Sequence, residues 1–223
     1  RLVRVMSGDT LVVYDEGLGR VTVLDAGYRV VATVSSLRDV DATVRLGNDM
    51  VVVAASSRDR SLAGMPHHLF DAVGGYVRSF GDSVEPRLSD EPTRNVRWLN
   101  AAADGGFWSI RWTHRFQIEH WTPDLQRTIA WEPEAPWFTP YSRVERPTPD
   151  LPPQGSAYAA WEPVPGQLWI SGQAPRPDWA RGLAQPRQVE GQLSYPVVDR
   201  RKVWRGVIEV YDVESSSLLQ RLF

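Results

Sequence analysis

Gly105-Gly106-Phe107-Trp108-Ser109-Ile110-Arg111-Trp112 is followed closely by Phe116-Gln117-Ile118-Glu119-His120-Trp121-Thr122-Pro123-Asp124 and Leu125-Gln126-Arg127-Thr128-Ile129-Ala130-Trp131. Trp108, Ile110 and Trp112 alternate with Ser109 and Arg111, and Phe116 and Ile118 alternate with Gln117 and Glu119. Alternation with period two in runs rich in aromatic and β-branched residues marks half-buried strands. Thr122-Pro123-Asp124 supplies a turn, Pro fixing φ and Asp offering a side-chain acceptor. The stretch predicts three short antiparallel strands, and none of its residues is poised for chemistry.

The pattern recurs along the chain. Gly8-Asp-Thr-Leu-Val-Val13, Gly47-Asn-Asp-Met-Val-Val52 and Gly166-Gln-Leu-Trp-Ile170 repeat the turn-then-strand opening of Gly105 to Ile110. Each is followed by a strand ending on Asp25, Asp71, Thr122 or Asp212, and then by a last strand. One more strand-like segment precedes each unit: Leu2–Met6, Ala42–Leu46, Asn95–Ala101 and Ala157–Glu162. The chain therefore reads as four meanders A-B-C-D, at about 1–34, 42–80, 95–131 and 157–223, within one domain of residues 1–223. Repeats of this period belong to β-propellers. The expected fold class is all-β, a propeller of four-stranded antiparallel blades. Leu11, Met50, Trp108 and Trp169 are expected to be equivalent in the B strands, with Trp108 and Trp169 packed between blades. Only Trp179-Ala-Arg-Gly-Leu183 suggests a turn of helix.

Gly8-Asp-Thr-Leu-Val-Val-Tyr-Asp15 with Arg20-Val-Thr-Val-Leu-Asp25, and Ile118-Glu-His-Trp-Thr-Pro-Asp124 with Trp137-Phe138, resemble the six-bladed β-propellers of the NHL/TolB-like superfamily, in particular exported bacterial propellers. The resemblance spans nearly the whole chain, but its motifs specify blades and no chemistry. It implies a periplasmic or extracellular protein. In its sharper form it implies an extrinsic subunit of a bacterial membrane complex, such as a photosynthetic reaction-centre assembly. Four units are visible where the group has six, so either the ring is small or the chain is part of a six-bladed one.

Composition narrows the function classes. The chain has 223 residues, 42% hydrophobic and 23% charged, with ten Trp and a net charge of −2. That charge gives no general attraction for nucleic acid or an anionic membrane. Lys202 is the only lysine, a bias that fits a GC-rich bacterial genome. Without cysteine there is neither disulfide nor thiolate chemistry. No run reaches the ~18 apolar residues of a membrane span. The chain opens at Arg1 inside a strand-like segment, which suggests processing or an incomplete chain.

Four histidines raise a metal reading. His67 and His68 are adjacent and should point to opposite sides of a strand, while His114 and His120 occupy a turn and a strand. No zinc-binding motif or acidic calcium loop accompanies them, so neither metal nor other cofactor is expected. Related enzymatic propellers hold carboxylates and amides in a central channel, where Asp41, Asn95 and Asn100 would be the candidates. This is the alternative function, a hydrolase or lactonase. The Asp residues ending C strands are expected to accept backbone N–H groups in turns.

In a meander, the B–C loops and D–A links emerge on one face, and every long segment falls in those classes: Ser57–Pro66, Gly81–Arg94, Glu132–Ser156 and Gln173–Lys202. Long loops inside compact domains are commonly functional. Two of these are Pro-rich and carry Trp137, Phe138, Tyr141, Trp179 and Tyr195, rings that make good contact anchors. The same rings could instead cover blade edges. The expectation is a non-catalytic scaffold binding a protein partner through these five residues.

Overall fold

The computed structural model describes residues 2–5, 11–15, 18, 20–34, 37–46, 50–57, 64–71, 75–82, 97–112, 115–140 and 146–223. Four four-stranded antiparallel sheets carry the chain, each in meander order. The first sheet holds β1 (Leu2–Val5), β2 (Leu11–Asp15), β3 (Arg20–Leu24) and β4 (Val30–Val34). The second holds β5 (Leu37–Arg45), β6 (Val51–Ser57), β7 (His67–Phe70) and β8 (Tyr76–Phe80). The third holds β9 (Arg97–Ala101), β10 (Phe107–Trp112), β11 (Phe116–Trp121) and β12 (Arg127–Trp131). The fourth holds β13 (Ser156–Val164), β14 (Gln167–Pro175), β17 (Trp204–Asp212) and β18 (Ser217–Leu222), with the small hairpin β15 (Arg187–Val189) and β16 (Gln192–Ser194) between β14 and β17. The fold class is all-β and built of propeller blades, as the repeats require.

The chain divides into two compact units, Arg1–Arg111 with Ile118–Ala130, and Trp112–Gln117 with Trp131–Phe223. In the first unit the logic of stacked blades is visible in β6. Val51, Val53 and Ala55 join Val21, Val23, Leu37 and Phe70 in one core, while Val52 and Ala54 join Leu46, Leu69, Leu99, Phe107 and Trp121 in another. A strand covered on both faces must be apolar at every position, which is why Val51 to Ala55 reads as an unbroken run. Burying a valine side chain contributes roughly 1.5–3 kcal/mol, so this strand alone ties two sheets together.

The turns after the first three C strands share one backbone bond, and side-chain oxygens cap all four. The N–H groups of Asp25, Asp71 and Thr122 donate to the carbonyls of Arg29, Gly75 and Gln126 at 3.0, 2.9 and 3.0 Å. Asp25 Oδ1 accepts from the N–H of Gly27 (2.8 Å) and of Arg29 (3.0 Å), and Asp71 Oδ1 from that of Gly75 (2.7 Å). Thr122 Oγ1 accepts from Gln126 N–H at 3.1 Å, and Asp212 Oδ1 from Ser215 N–H at 2.8 Å. These residues are structural, as the sequence predicts.

Strand register corrects one expectation. Leu11 lies opposite Leu24, Val51 opposite Phe70 and Leu168 opposite Tyr211, each the residue before a turn-opening Asp. Phe107, opposite Ala101, takes the place that Val51 takes opposite Arg45. The equivalent B positions are thus Leu11, Val51, Phe107 and Leu168, and Met50 lies outside β6. Trp108 and Trp169, one residue further on, do correspond. Trp108 is buried, whereas Trp169 is half-buried with its ring 6.1 Å from that of the exposed Trp161.

Candidate functional site

In the second unit, β14 and β17 continue past their neighbours and carry an arm. Pro175 lies opposite Trp204, and Arg176 N–H then donates to Val203 O at 2.9 Å. A 3-10 turn (Trp179–Gly182) packs against a short helix, α1 (Arg200–Val203), whose first turn is capped when the Asp199 carboxylate accepts from Arg201 N–H at 3.0 Å. Only glycine fits at 182, because a Cβ there would stand 2.4 Å from a Val203 methyl and 2.7 Å from Asp199 O. Beyond this base, Ala184 N–H donates to Pro196 O (2.8 Å) and Val198 N–H to Gly182 O (2.9 Å). The tip is the β15–β16 hairpin, whose Glu190 and Gly191 both have positive φ (50° and 79°), as the two-residue turn suited to strand twist requires.

The arm meets the other long segment of this unit. Trp179 Nε1 donates to Thr148 O at 3.0 Å, and Arg146 Nη1 to Ser194 Oγ at 3.3 Å. These contacts bring Glu132–Ser156 and Gln173–Lys202 together. Most of Ser57–Pro66 and Gly81–Arg94 lies outside the described residues, so their grouping on one face stays an expectation.

The five aromatic residues proposed as anchors are not alike. Trp137 is buried, its ring edge-on to Phe116 at 5.3 Å and passing over Gly172, where an added Cβ would come within 3.3 Å of the indole. Phe138 is half-buried and 5.6 Å from Phe116. These two rings hold the segment after β12 against Phe116, Trp137 also packing on β14, and Trp137 leaves almost no surface to a partner. Trp179 and Tyr195 are half-buried on the arm, and Tyr141 lies outside the described residues. The arm's exposed apolar residues are the aliphatics Val189, Leu193 and Val198, the last two each 68% exposed. Sequence reasoning passed them over because single aliphatic residues in a loop carry no pattern.

The first unit holds a buried polar cluster that sequence reasoning also missed. His67 Nε2 lies 2.9 Å from Ser109 Oγ, and both residues are fully buried. The His67 ring sits among Phe80, Phe107 and Trp121 at 5.1, 5.6 and 5.5 Å. Burial and the neighbouring Arg97 hold this imidazole neutral, well below its ordinary pKa. With no exposed surface on either member, the pair works as a core hydrogen bond and not as a nucleophile and base. His68 points the other way: Nε2 meets Ala55 O at 3.1 Å and Nδ1 meets Ser79 Oγ at 2.7 Å, and burial pushes its pKa down to about 4.

Nearby, Arg97 and Glu119 are also fully buried. Burial lowers the pKa of Arg97, while the fields of Glu119 and Asp82 oppose that shift. Glu119 accepts from Trp121 Nε1 and Arg127 Nη1, both at 3.3 Å, and Arg127 also pairs with Asp82. Only Arg97 and Glu119 stand inside the core: Arg127 and Asp82 reach them from the surface, and Arg97 Nε and Nη1 have no hydrogen-bond partner among the described residues, so the nearby carboxylates offset its burial only in part. Of the channel candidates, Asp41 lies on β5 and Asn100 on β9, both partly exposed, while Asn95 and His114 lie outside the described residues. Among the described residues, no three His, Asp or Glu side chains group as a metal site would.

The blades and their inter-sheet cores define a β-propeller class of protein, and comparison with solved structures agrees. The chain is similar to a virginiamycin B lyase from Staphylococcus aureus, with a TM-score of 0.51 at 7% identity, covering 99% of this chain and 68% of that one. It is also similar to a streptogramin B lyase (TM-score 0.46, 9% identity, 99% and 67% covered) and to a protein of unknown function from Bacteroides caccae (0.35, 9%, 96% and 72%). At such identities the first likeness establishes a fold and no activity. No family model matches the chain, and no curated protein matches its sequence.

Proposed function

We propose that this chain is a non-catalytic binding module, a propeller of the NHL/TolB-like kind that docks on a protein partner through the arm Gln173–Lys202. The observation that supports this reading is the arm itself. It is ordered by its own hydrogen bonds and closed at its base by Gly182 and Val203, yet Leu193 at its tip and Val198 near its base are each 68% exposed. Apolar side chains held outward on a stiff scaffold suit an interface, because little conformational freedom is lost on binding. The partner in this reading is a bacterial membrane complex facing the periplasm, such as a photosynthetic reaction-centre assembly. No helix among the described residues is long and apolar enough to cross a membrane, and in this reading attachment runs through the partner. The test replaces Gln188–Leu193 with an Asn-Gly turn. The variant should keep its β circular dichroism and melting temperature and lose co-sedimentation with membranes of the source cell. Unchanged co-sedimentation refutes the reading.

The likeness to a virginiamycin B lyase favours a second reading, an enzyme with its site among the A strands at Asp41 and Asn100. Turnover of virginiamycin B by the chain, lost on Asp41→Asn, would establish it over the first.

A further inference from the structure

We infer that the arm recognises an acidic protein surface, an inference that rests on the arm being the docking site. From Arg176 to Arg205 the chain carries seven basic and three acidic side chains, within a protein whose net charge is −2. The positive charge is therefore concentrated here. Only two of the cations are ion-paired among the described residues: Arg181 with Asp178 at 3.4 Å, and Lys202 with Asp199 at 3.7 Å. Arg200 and Arg205 lie over the rings of Trp204 and Phe223, at 5.5 and 3.8 Å. Stacking fixes the plane of the exposed Arg200 and leaves its edge N–H groups to outside acceptors, whereas Arg205 is half-buried with its Nε enclosed. Arg187 on the hairpin and Arg201 on α1 are exposed and have no carboxylate partner among the described residues.

The chemistry of the cations and of the apolar residues points to protein and not to lipid. Guanidinium forks match carboxylates in two parallel hydrogen bonds, and arginine is enriched where proteins meet. A membrane-inserting tip would instead present a large, contiguous apolar face, usually with exposed aromatic rings. Here Val189, Leu193 and Val198 are single aliphatic residues set among polar ones, and the Trp179 indole is already bound to Thr148. Exposed aliphatics between unpaired arginines fit a surface where carboxylates alternate with apolar residues.

The experiment measures fluorescence anisotropy of a labelled peptide alternating Glu and Leu against the whole chain. Binding is expected, weakening steeply as salt rises from ~0.05 to ~0.3 M. The pair Arg187→Glu with Arg201→Glu should weaken it at least ~10-fold, because like charges would then face each other. The pair Arg20→Glu with Arg78→Glu, exposed positions on the first unit, should leave it unchanged. Three results overturn the inference: equal binding of a Lys-Leu peptide, no loss in the arm variant, or tighter binding to vesicles of mixed neutral and anionic phospholipid. If the charge-reversed arm still docks on source membranes while the hairpin replacement does not, the docking reading stands and the acidic partner falls.

Discussion

Glu119 in the first unit and Glu209 in the second hold the same place in their blades, and both are fully buried. Each precedes an aromatic residue by two positions and faces an arginine of the next strand. In the second unit the group is tight: Tyr211 O–H donates to Glu209 Oε2 at 2.6 Å and Arg221 Nε to Oε1 at 2.5 Å. Burial and the adjacent carboxylate hold the Tyr211 phenol protonated far above its ordinary range. In the first unit the indole of Trp121 and the Arg127 fork stand at 3.3 Å, and Arg127 divides itself between Glu119 and Asp82. One motif thus yields a closed three-residue lock in one blade and an open, four-charge network in the other. The difference lies in what each arginine meets: Arg221 reaches Glu134 O as its second acceptor, a neutral group, while Arg127 reaches a second carboxylate.

The widest test of blade equivalence uses the corresponding tryptophans. Trp108→Ala should cost about 3–5 kcal/mol, as aromatic deletions in packed cores do. Trp169→Ala should cost less than half of that, since its ring is already partly in water. Urea denaturation midpoints measure both, and equal losses would break the distinction between the two sites.

Acid should act on the blade holding His67 and His68. Both are neutral in the folded state, with pKa values below the ordinary 6.5, that of His68 at about 4. Below pH 6.5 the unfolded chain takes up protons that the folded chain refuses, so stability falls as pH drops from 6.5 towards 4. For His68 alone the loss across that window is about 3 kcal/mol. Denaturation at a series of pH values should show this slope, and His68→Gln should reduce it by roughly half, His67 keeping its own share. A flat profile in the parent would refute the buried neutral state.

The two carboxylates should separate next. Glu209→Gln is expected to cost about 2–3 kcal/mol, since it leaves Arg221 without its charge partner in a largely buried place. Glu119→Gln should cost more, about 3–4 kcal/mol: its own contacts are longer and Arg127 keeps Asp82, but the fully buried Arg97 loses the carboxylate that most offsets its burial. Thermal melts of both variants decide, and a smaller loss for Glu119 than for Glu209 would reverse the reading.

The smallest effect concerns a turn shared by two blades. Tyr28 and Leu125 stand at the same step with φ of 60° and 65°, a conformation that favours glycine. Tyr28→Gly should stabilise by about 0.5–1 kcal/mol, because the exposed ring loses little. Leu125→Gly should destabilise, because that side chain is buried beside Trp121 and Phe107. A fall in melting temperature for Tyr28→Gly would show that its ring contributes more than the strain costs.

The blades were legible in the chain because their causes are local. Period-two alternation, Gly before each B strand and Asp after the C strands place strands and turns from neighbours a few residues away. The repeated Ile118-Glu-His-Trp and Ile208-Glu-Val-Tyr, each followed by Leu-Gln-Arg, were also there to be seen as a lock. What the repeat could not say is how tight each lock closes, since that depends on Asp82 and Glu134, which are distant in sequence. Nor could it separate Trp137, taken into the core by Phe116 and Gly172, from Trp179, held on the arm by Thr148. An aromatic residue in a Pro-rich loop has the same local signature in both cases. Burial and charge pairing are set by what the folded chain brings across from elsewhere, so the sequence alone determined the blades, and the tertiary structure decided which side chains became core and which were left exposed.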